Sequence, residues 1–224
     1  MDLASQVAGI GALAEPVRRA LYEYVAGQPE AVGREQAADA VGVPMHTAKF
    51  HLDKLVDEGL LDVEFRRLTG RSGPGAGRPA KLYRRSAAEW TVSLPARRYH
   101  LAGHILATAL ETAARDGLSV PDSLHAAAHT EGELIGAATK STGDELERVS
   151  TILKDQGYEA RLDDDTVVLA NCPFDALAKE HTELVCGLNQ SFVQGVADGL
   201  GCQSVVALLE PEPGHCCVKT RRSL

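Results

Sequence analysis

The chain has no cysteine before position 172, although it contains five cysteines in all. It has no apolar run near the 18 residues that a membrane-spanning helix needs. Its first 20 residues lack the basic stretch and the cleavage site of a secretory signal peptide. Only 4% of the residues are aromatic, yet 44% are hydrophobic, which suffices for a core without disulfides. We therefore expect a cytoplasmic protein with no membrane partner, in which clustered cysteines stay reduced and are available for metal binding or redox chemistry.

The charge of the chain is distributed unevenly. The net charge is −8, which taken alone argues against a general nucleic-acid binder. Residues 1–90 nevertheless carry 12 basic and 12 acidic residues, whereas residues 91–224 carry 11 basic and 19 acidic ones. Seven basic residues and no acidic residue lie between positions 65 and 85. This asymmetry predicts two regions with different partners.

Three stretches before residue 60 have the pattern of helices: AEPVRRALYEYVAG, GREQAADAVG and PMHTAKFHLDKLVDEG. In the first, Val17, Leu21 and Val25 recur four residues apart and therefore share one face. Pro44 opens the third stretch and Gly59 follows it, as is usual at the two ends of a helix. A short helix, the turn VGVP and a second amphipathic helix together predict a helix-turn-helix.

The segment after these helices has the pattern of a β-hairpin. The stretch LLDVEFRR alternates as a strand does, and AKLYRR has the pattern of the returning strand. Between them lies a tip rich in glycine, proline and arginine. Basic side chains on such a tip can follow a phosphate backbone or enter a minor groove. The hairpin therefore resembles the wing of a winged helix, although a helix pair with a basic loop is also compatible with a protein-interaction module.

Residues 13–86 resemble the winged-helix domain of ArsR-like bacterial repressors, and the stretches HTAKFHLDKLVDEGLL and GRPAKLYR carry this resemblance. We expect a DNA-binding domain over residues 1–90 whose third helix enters the major groove. Its exposed side and the wing supply the candidate DNA-contacting residues, which are Met45, His46, Thr47, Lys49, Lys54, Arg71, Arg78 and Lys81. Lys49 and His46 can donate to base acceptors, and Thr47 suits a phosphate or a base edge. Lys54 is expected at the DNA backbone, and His51 fits a packed structural histidine better than a base reader.

Residues 91–118 contain a long helical pattern in which Leu101, Ile105, Ala109 and Ala113 repeat every four residues. We expect a linking and dimerisation helix, because proteins with this DNA-binding domain read two half-sites as two-fold dimers. A helix that packs inside its own domain is the alternative interpretation.

Residues 119–224 mix predicted helices and strands, so the chain as a whole is expected to be an α+β protein. The stretches DELERVSTILKDQGY and HTELVCGLNQSFVQGVADGLG predict helices, and EARLDDDTVVLANCPF predicts two strands around an acidic turn. QSVVALLE and CCVKT are expected to be the closing strands. This region holds every cysteine of the chain.

Three cysteines, Cys172, Cys186 and Cys216, lie at the predicted ends of elements and can converge on one centre. Thiolates suit both Zn²⁺ and iron–sulfur clusters. The chain lacks the short Cys-x₂₋₄-Cys spacing of zinc knuckles and the Cys-x₂-Cys runs of ferredoxins, so spacing does not choose between zinc, a cluster and plain buried thiols. His181 precedes Cys186 by five residues, and it can reach the same site only if a helix breaks near Thr182.

The adjacent pair Cys216 and Cys217 poses a separate question. If both belong to the last strand, their side chains point to opposite faces of the sheet. This alternation predicts one ligand and one bystander, with Cys216 favoured and Cys217 as the alternative.

The stretch NCPFDALAKEHTELVCGLN, followed by EPEPGHCCVKT, resembles the sensor domain of the iron–sulfur-binding repressors of cluster-assembly (Suf) genes. With the winged helix, the resemblance spans residues 13–220. It implies a [4Fe–4S] cluster held by three cysteines and one further group, here Cys172, Cys186, Cys216 and His181. Cys202 has no counterpart in that pattern, and it is either a buried thiol or a substitute fourth ligand.

These observations together predict a homodimeric transcriptional repressor that binds a double-stranded DNA operator under the control of an iron–sulfur cluster. The alternative is the same DNA-binding protein with zinc in its cysteine site. An enzyme with Cys172 or Cys186 as nucleophile is a third possibility. No catalytic motif accompanies these cysteines, and that interpretation leaves the DNA-binding region unexplained, so we expect no enzyme.

Overall fold

A computed structural model describes residues 3–67 and 79–223 of the chain. The chain mixes helices with antiparallel sheets and divides into two compact units, with the boundary between Val92 and Ser93. Among the described residues, no helix is both long and apolar enough to span a membrane.

The described residues of the N-terminal unit form four helices and a three-stranded antiparallel sheet. The helices are α1 (Leu3–Ala12), α2 (Pro16–Ala26), α3 (Arg34–Val41) and α4 (Met45–Asp57). The strands are β1 (Val32–Gly33), β2 (Leu61–Arg66) and β3 (Ala80–Arg85), in the order β1-β3-β2. The three predicted helices and the two hairpin strands are confirmed, whereas α1 and β1 were not predicted. The tip of the hairpin lies outside the described residues.

Local signals explain the helix boundaries in this unit. The Glu15 carboxylate accepts hydrogen bonds from two backbone N–H groups in the first turn of α2. Gly42 ends α3 with a φ of 73°, a conformation that glycine adopts without a steric penalty. Leu21, Leu52 and Leu55 from α2 and α4 are fully buried and form the centre of the core. The core therefore fixes α4 against α2, with the opposite side of α4 exposed.

Between residues 93 and 223, the described part of the C-terminal unit, the chain forms five helices and a four-stranded antiparallel sheet. The helices are α5 (Tyr99–Asp116), α6 (Val120–Ala138), α7 (Glu145–Asp155), α8 (Asp175–Glu180) and α9 (Thr182–Gly199). The strands are β4 (Ala160–Asp163), β5 (Thr166–Leu169), β6 (Val205–Leu209) and β7 (Val218–Arg222), in the order β4-β5-β7-β6. The predicted helices α7 and α9 and the predicted hairpin β4–β5 are confirmed. No element was predicted for the residues of α6 and α8.

The apolar stripe of α5 lies inside the C-terminal unit. Leu101, Ile105, Ala109 and Ala113 are all buried, and the first three belong to the core of this unit. The stripe is therefore not available to a second copy of the chain. Leu110, on another side of α5, is 56% exposed. The predicted helix is confirmed and this stripe packs within its own domain, whereas the role of the helix in dimerisation stays a prediction.

Helices α6 and α9 approach each other closely through glycines. A Cβ atom placed on Gly132 would lie 2.1 Å from the carbonyl oxygen of Phe192, and one placed on Gly195 would lie 2.0 Å from that of His129. No side chain fits in these gaps, so the two backbones are in direct contact. Phe192 and Val196 of α9 point into the core as predicted, and both are fully buried.

Candidate functional site

The first candidate site is the exposed side of α4. Met45 is 55% exposed, His46 and Lys49 are also exposed, and Thr47 is half-buried. Ala48 is fully buried on the opposite side of the same turn, which fixes the rotation of the helix. The structure therefore presents the predicted base-reading residues on one solvent-facing surface.

Asp53 connects this surface to strand β3. Its carboxylate lies 3.1 Å from Nζ of Lys49 and 2.5 Å from Nζ of Lys81, and it accepts a hydrogen bond of 2.8 Å from the hydroxyl of Tyr83. Partial burial would raise the pKa of Asp53, but the donors Lys81, Tyr83 and Lys49 outweigh it and lower the pKa to about 2. Two of the predicted DNA contacts thus share one acidic partner, an arrangement that sequence spacing did not reveal.

The remaining residues of the predicted DNA surface differ in their surroundings. Lys54 forms an ion pair of 2.5 Å with Glu58 one turn later. His51 is nearly buried, and it lies 3.5 Å from the carboxylate of Glu15 and 3.4 Å from Nε of Arg18. These contacts bear out its interpretation as a packed structural histidine. The last two candidates, at positions 71 and 78, lie outside the described residues.

The second candidate site gathers four cysteines from three parts of the C-terminal unit. Cys172 follows β5, Cys186 lies in the second turn of α9, and Cys216 and Cys217 precede β7. The backbone N–H of Cys216 donates to the carbonyl of Leu169 at the end of β5, with a distance of 2.8 Å. This bond brings the Cys216 segment beside the residues that lead to Cys172.

The expected position of the adjacent cysteines in the last strand is wrong. Strand β7 begins at Val218, so Cys216 and Cys217 belong to the connection before it. Strand alternation therefore does not separate their side chains, and the argument for one ligand and one bystander loses its basis. Cys216 is buried and Cys217 is half-buried.

The four thiols interact in two pairs. A hydrogen bond from the thiol of Cys216 lowers the pKa of Cys172 against the opposing effect of burial. The same interaction, together with burial, raises the pKa of Cys216. Burial and the neighbouring thiol of Cys217 raise the pKa of Cys186 to about 12. The pairs are therefore Cys172 with Cys216 and Cys186 with Cys217.

One uncharged polar residue of the core, Asn189, contacts this cluster, and Tyr158 contacts Asn189 in turn. Asn189 lies three residues after Cys186 on α9, hence on the same side of the helix. Its Nδ2 donates to Sγ of Cys216 over 3.1 Å, and its Oδ1 accepts from the hydroxyl of Tyr158. Sequence analysis did not identify either residue. The available signal was an asparagine in an otherwise apolar helical stripe, one turn from a candidate ligand.

His181 lies at a helix break. Helix α8 ends at Glu180 and α9 begins at Thr182, so the break required for His181 to reach the site is present. His181 itself is exposed. Its backbone closes both helix ends, because its N–H donates to Leu177 and its carbonyl accepts from Val185. The predicted helix break is therefore present, but among the described residues no contact joins the imidazole of His181 to the four cysteines.

Cys202 lies apart from the other four cysteines. Its buried thiol donates to the backbone carbonyl of Glu145, which agrees with its interpretation as a buried structural thiol. Across residues 3–67 and 79–223, no three His, Cys, Asp or Glu side chains form a group arranged to hold a single metal ion. The cysteine cluster is therefore two neighbouring thiol pairs rather than a closed single-ion site.

Comparison with known families identifies the N-terminal unit. The sequence model of a helix-turn-helix domain matches residues 13–64, which run from the end of α1 into β2. The match covers the whole of α2, α3 and α4 and indicates a DNA-binding regulator. A search of curated protein sequences finds no match to the chain.

Proposed function

We propose that the protein is a DNA-binding transcriptional regulator, and specifically a repressor, whose operator affinity is controlled by an iron–sulfur cluster in the C-terminal unit. The single observation that carries this proposal is the convergence of Cys172, Cys186, Cys216 and Cys217 in a chain with a helix-turn-helix domain. The cysteines lie up to 45 residues apart in sequence, so their meeting requires the fold.

The surface of α4 supports the DNA-binding half of the proposal. Met45, His46 and Lys49 are exposed on the helix that follows the turn, which is the helix that enters the major groove in helix-turn-helix proteins. The ion pair with Asp53 of α4 holds Lys81 of β3 beside this helix, where it adds a positive charge. Phosphate contacts from such lysines supply affinity, and contacts to base edges supply specificity.

The chemistry of the cysteine cluster supports a group that prefers thiolates. Four sulfur donors, two of them buried and two half-buried, suit an iron–sulfur cluster or zinc, since soft thiolate ligands select both. A cluster is larger than one ion, so its ligands need not form the closed single-ion arrangement that the described residues lack. Cys172, Cys186 and Cys216 would hold the group. Cys217 is better positioned than the exposed His181 to be the fourth donor, because it already contacts Cys186.

Control of DNA binding follows from linkage between the two sites. A bound group changes operator affinity only as far as it favours one conformation of the regulator over another. The cluster supplies sensitivity to oxidants and to iron supply when it is bound. In the proposed homodimer the two helix-turn-helix units contact two half-sites, and loss of the cluster ends repression.

The test is purification of the full chain without oxygen, followed by analysis of iron, sulfide and zinc. A DNA site is then selected from a random duplex library with the loaded chain, and affinity is measured for the loaded and the chelator-stripped protein. We expect a brown protein with iron and sulfide that binds the selected site at least tenfold more tightly than the stripped chain.

Three results decide between the alternatives. A colourless chain with stoichiometric zinc supports the zinc-binding regulator instead. A chain without either metal, or one whose loaded and stripped forms bind DNA equally, contradicts control by a bound group. Light scattering in the presence and absence of the selected duplex tests the homodimer, which is expected at twice the mass of 23.8 kDa.

A further inference from the structure

Asn189 is a buried polar residue of the C-terminal core that contacts the cysteine cluster. It is 1% exposed, and a buried amide costs free energy unless both ends have hydrogen-bond partners. Both ends do: Nδ2 donates to Sγ of Cys216, and Oδ1 accepts from Tyr158. An asparagine used only for packing does not require a sulfur acceptor, so this contact points to a role in the cysteine site.

Tyr158 fixes the orientation of this amide. Burial raises the pKa of Tyr158 well above its ordinary value, so the phenol stays neutral and keeps its proton for donation. Because the hydroxyl occupies Oδ1 of Asn189, the amide N–H₂ is directed to Cys216. The side chains of Tyr158, Asn189 and Cys216 thus form a buried chain of hydrogen bonds with one defined direction.

We propose that Asn189, oriented by Tyr158, is a positioning residue that holds Cys216 for the bound cluster and raises the cluster's reduction potential. This inference rests on the proposed function. A hydrogen bond to a ligating sulfur stabilises the negative charge that increases when a cluster is reduced. It also fixes the ligand before the cluster binds, as partners of metal ligands generally do.

The expected effect of removing this donor is a lower potential and a less stable site. Loss of a partner of a metal ligand typically weakens binding by about 10- to 100-fold. We expect iron to leave the Asn189→Leu protein at least tenfold faster than the wild type, and the midpoint potential to move to a more negative value. Tyr158→Phe leaves the amide donor in place but no longer orients it, so its effects should be smaller and in the same direction.

The experiment uses full chains reconstituted without oxygen with ferrous iron and sulfide. Release of iron to a ferrous chelator gives the rate of cluster loss, and a spectroelectrochemical titration gives the midpoint potential. The double variant Tyr158→Phe/Asn189→Leu removes both partners of the buried hydrogen bond, which is close to neutral for folding when the shapes are similar. Cys202→Ser is the matched control, because it changes a buried thiol of the same unit that contacts Glu145 instead of the cluster.

The outcomes separate this inference from the proposed function. A lower potential and faster iron release in Asn189→Leu or in the double variant, with Cys202→Ser unchanged and equal melting temperatures, support it. A wild-type potential and release rate in folded variants overturn it and leave the proposed function standing. A wild-type chain that takes up no cluster overturns the proposed function, and the positioning role with it. If Asn189→Leu does not fold, the double variant and Tyr158→Phe decide by the same criteria.

Discussion

In the described part of the N-terminal unit the lysines proposed to contact DNA are partly or fully exposed and already have acidic partners, whereas in the C-terminal unit the four clustered cysteines are buried or half-buried beside one another. Lys49 and Lys81 share Asp53, and Lys54 pairs with Glu58. Exposed ion pairs of this kind contribute little to stability and exchange readily for other charges.

This difference in solvation determines how each site exchanges its present contacts for a bound partner. On the DNA-binding side, a lysine can exchange a carboxylate for a phosphate with small loss of free energy, because both states are solvated. In the cysteine cluster there is little solvent to replace a lost partner, and burial keeps the Cys186 thiol protonated, with its pKa raised to about 12. A metal that displaces these protons converts the two protonated thiol pairs into thiolate ligands.

The largest expected effect is loss of bound metal when a cysteine of the cluster is replaced. Cys172→Ser, Cys186→Ser and Cys216→Ser should each reduce the metal content of the purified chain by at least tenfold, because each removes a thiolate that the remaining core cannot supply. We expect the same of Cys217→Ser, since Cys217 pairs with Cys186 and lies outside strand β7. Metal analysis without oxygen is the measurement.

Two controls sharpen this prediction. His181→Ala should keep its metal, because the imidazole is exposed, and Cys202→Ser should do so because its thiol contacts Glu145. Full metal content in Cys217→Ser together with loss in His181→Ala would restore histidine as the fourth ligand.

The next effect concerns the close approach of α6 and α9 in the C-terminal unit. Gly195→Ala places a methyl group 2.0 Å from the carbonyl oxygen of His129, so the two helices must separate. Overpacking of this kind costs about 1–3 kcal/mol of the free energy of unfolding. Calorimetry should show a lower transition temperature for the C-terminal unit.

The matched control for this substitution is Gly103→Ala on α5. Apart from its chain neighbours and the backbone of its own helix turn, no described atom lies within 4 Å of a Cβ placed there, so the change should stabilise the helix by up to about 1 kcal/mol. Trp90, the one tryptophan of the chain, lies in the N-terminal unit and reports that unit separately. Equal stability of Gly195→Ala and wild type would mean that the glycine contact is not as close as described.

These glycines also explain what sequence analysis missed. The amphipathic stripes of α2, α4, α7 and α9 are regular, and their helices were predicted. Helix α6 contains Gly132 and Gly136, which weaken a helical pattern in the sequence. Both glycines lie against the backbone of α9, a contact that only the tertiary structure shows. The spacing of apolar residues along a helix indicates which face is buried, but it does not indicate where the backbones of two helices touch.

The cysteine site was predictable only in part, for a related reason. Cysteine content and resemblance pointed to Cys172, Cys186 and Cys216, but the two-residue error at the start of β7 removed the strand-alternation argument that favoured Cys216 over Cys217. Asn189 has no motif of its own, since its role depends on the distance to Cys216 across the fold. Sequence indicates which residues have the right chemistry, and tertiary structure decides which of them meet.

A smaller effect is expected when the acidic partner of the DNA-facing lysines is neutralised. Asp53→Asn keeps the size of the side chain and releases Lys49 and Lys81 from their ion pairs. We expect affinity for random-sequence duplex DNA to increase by about fivefold at low salt. The slope of log affinity against log salt should steepen by about one for each new phosphate contact.

The control for this variant is Asp57→Asn, which removes the same charge from the same helix without touching Lys49 or Lys81. It should change affinity less and leave the salt slope unaltered. Weaker binding in Asp53→Asn alone would mean that Asp53 orients the lysines for DNA rather than competing with it. Either result separates an exchangeable surface partner from a fixed one.

The smallest effect is a pH dependence of the N-terminal unit. The pKa of Asp53 is about 2 in the folded chain against an ordinary value of 3.8, so the folded state binds fewer protons than the unfolded state between these values. The stabilisation by Asp53 is therefore complete above about pH 4 and is lost as the pH falls towards 2. Because the carboxylate is partly solvated, the amount is on the order of 1 kcal/mol.

Urea unfolding monitored by Trp90 fluorescence measures this contribution in the N-terminal unit alone. The wild type should exceed Asp53→Asn in free energy of unfolding at pH 5, and the difference should shrink as the pH is lowered to 2.5. Equal free energies of unfolding of the two proteins at both pH values would assign the stability of this contact to the hydrogen bond from Tyr83, which an asparagine oxygen can also accept. In that case the lysines would be held at the surface by packing, and the contrast with the buried thiol pairs would be one of solvent exposure rather than of charge.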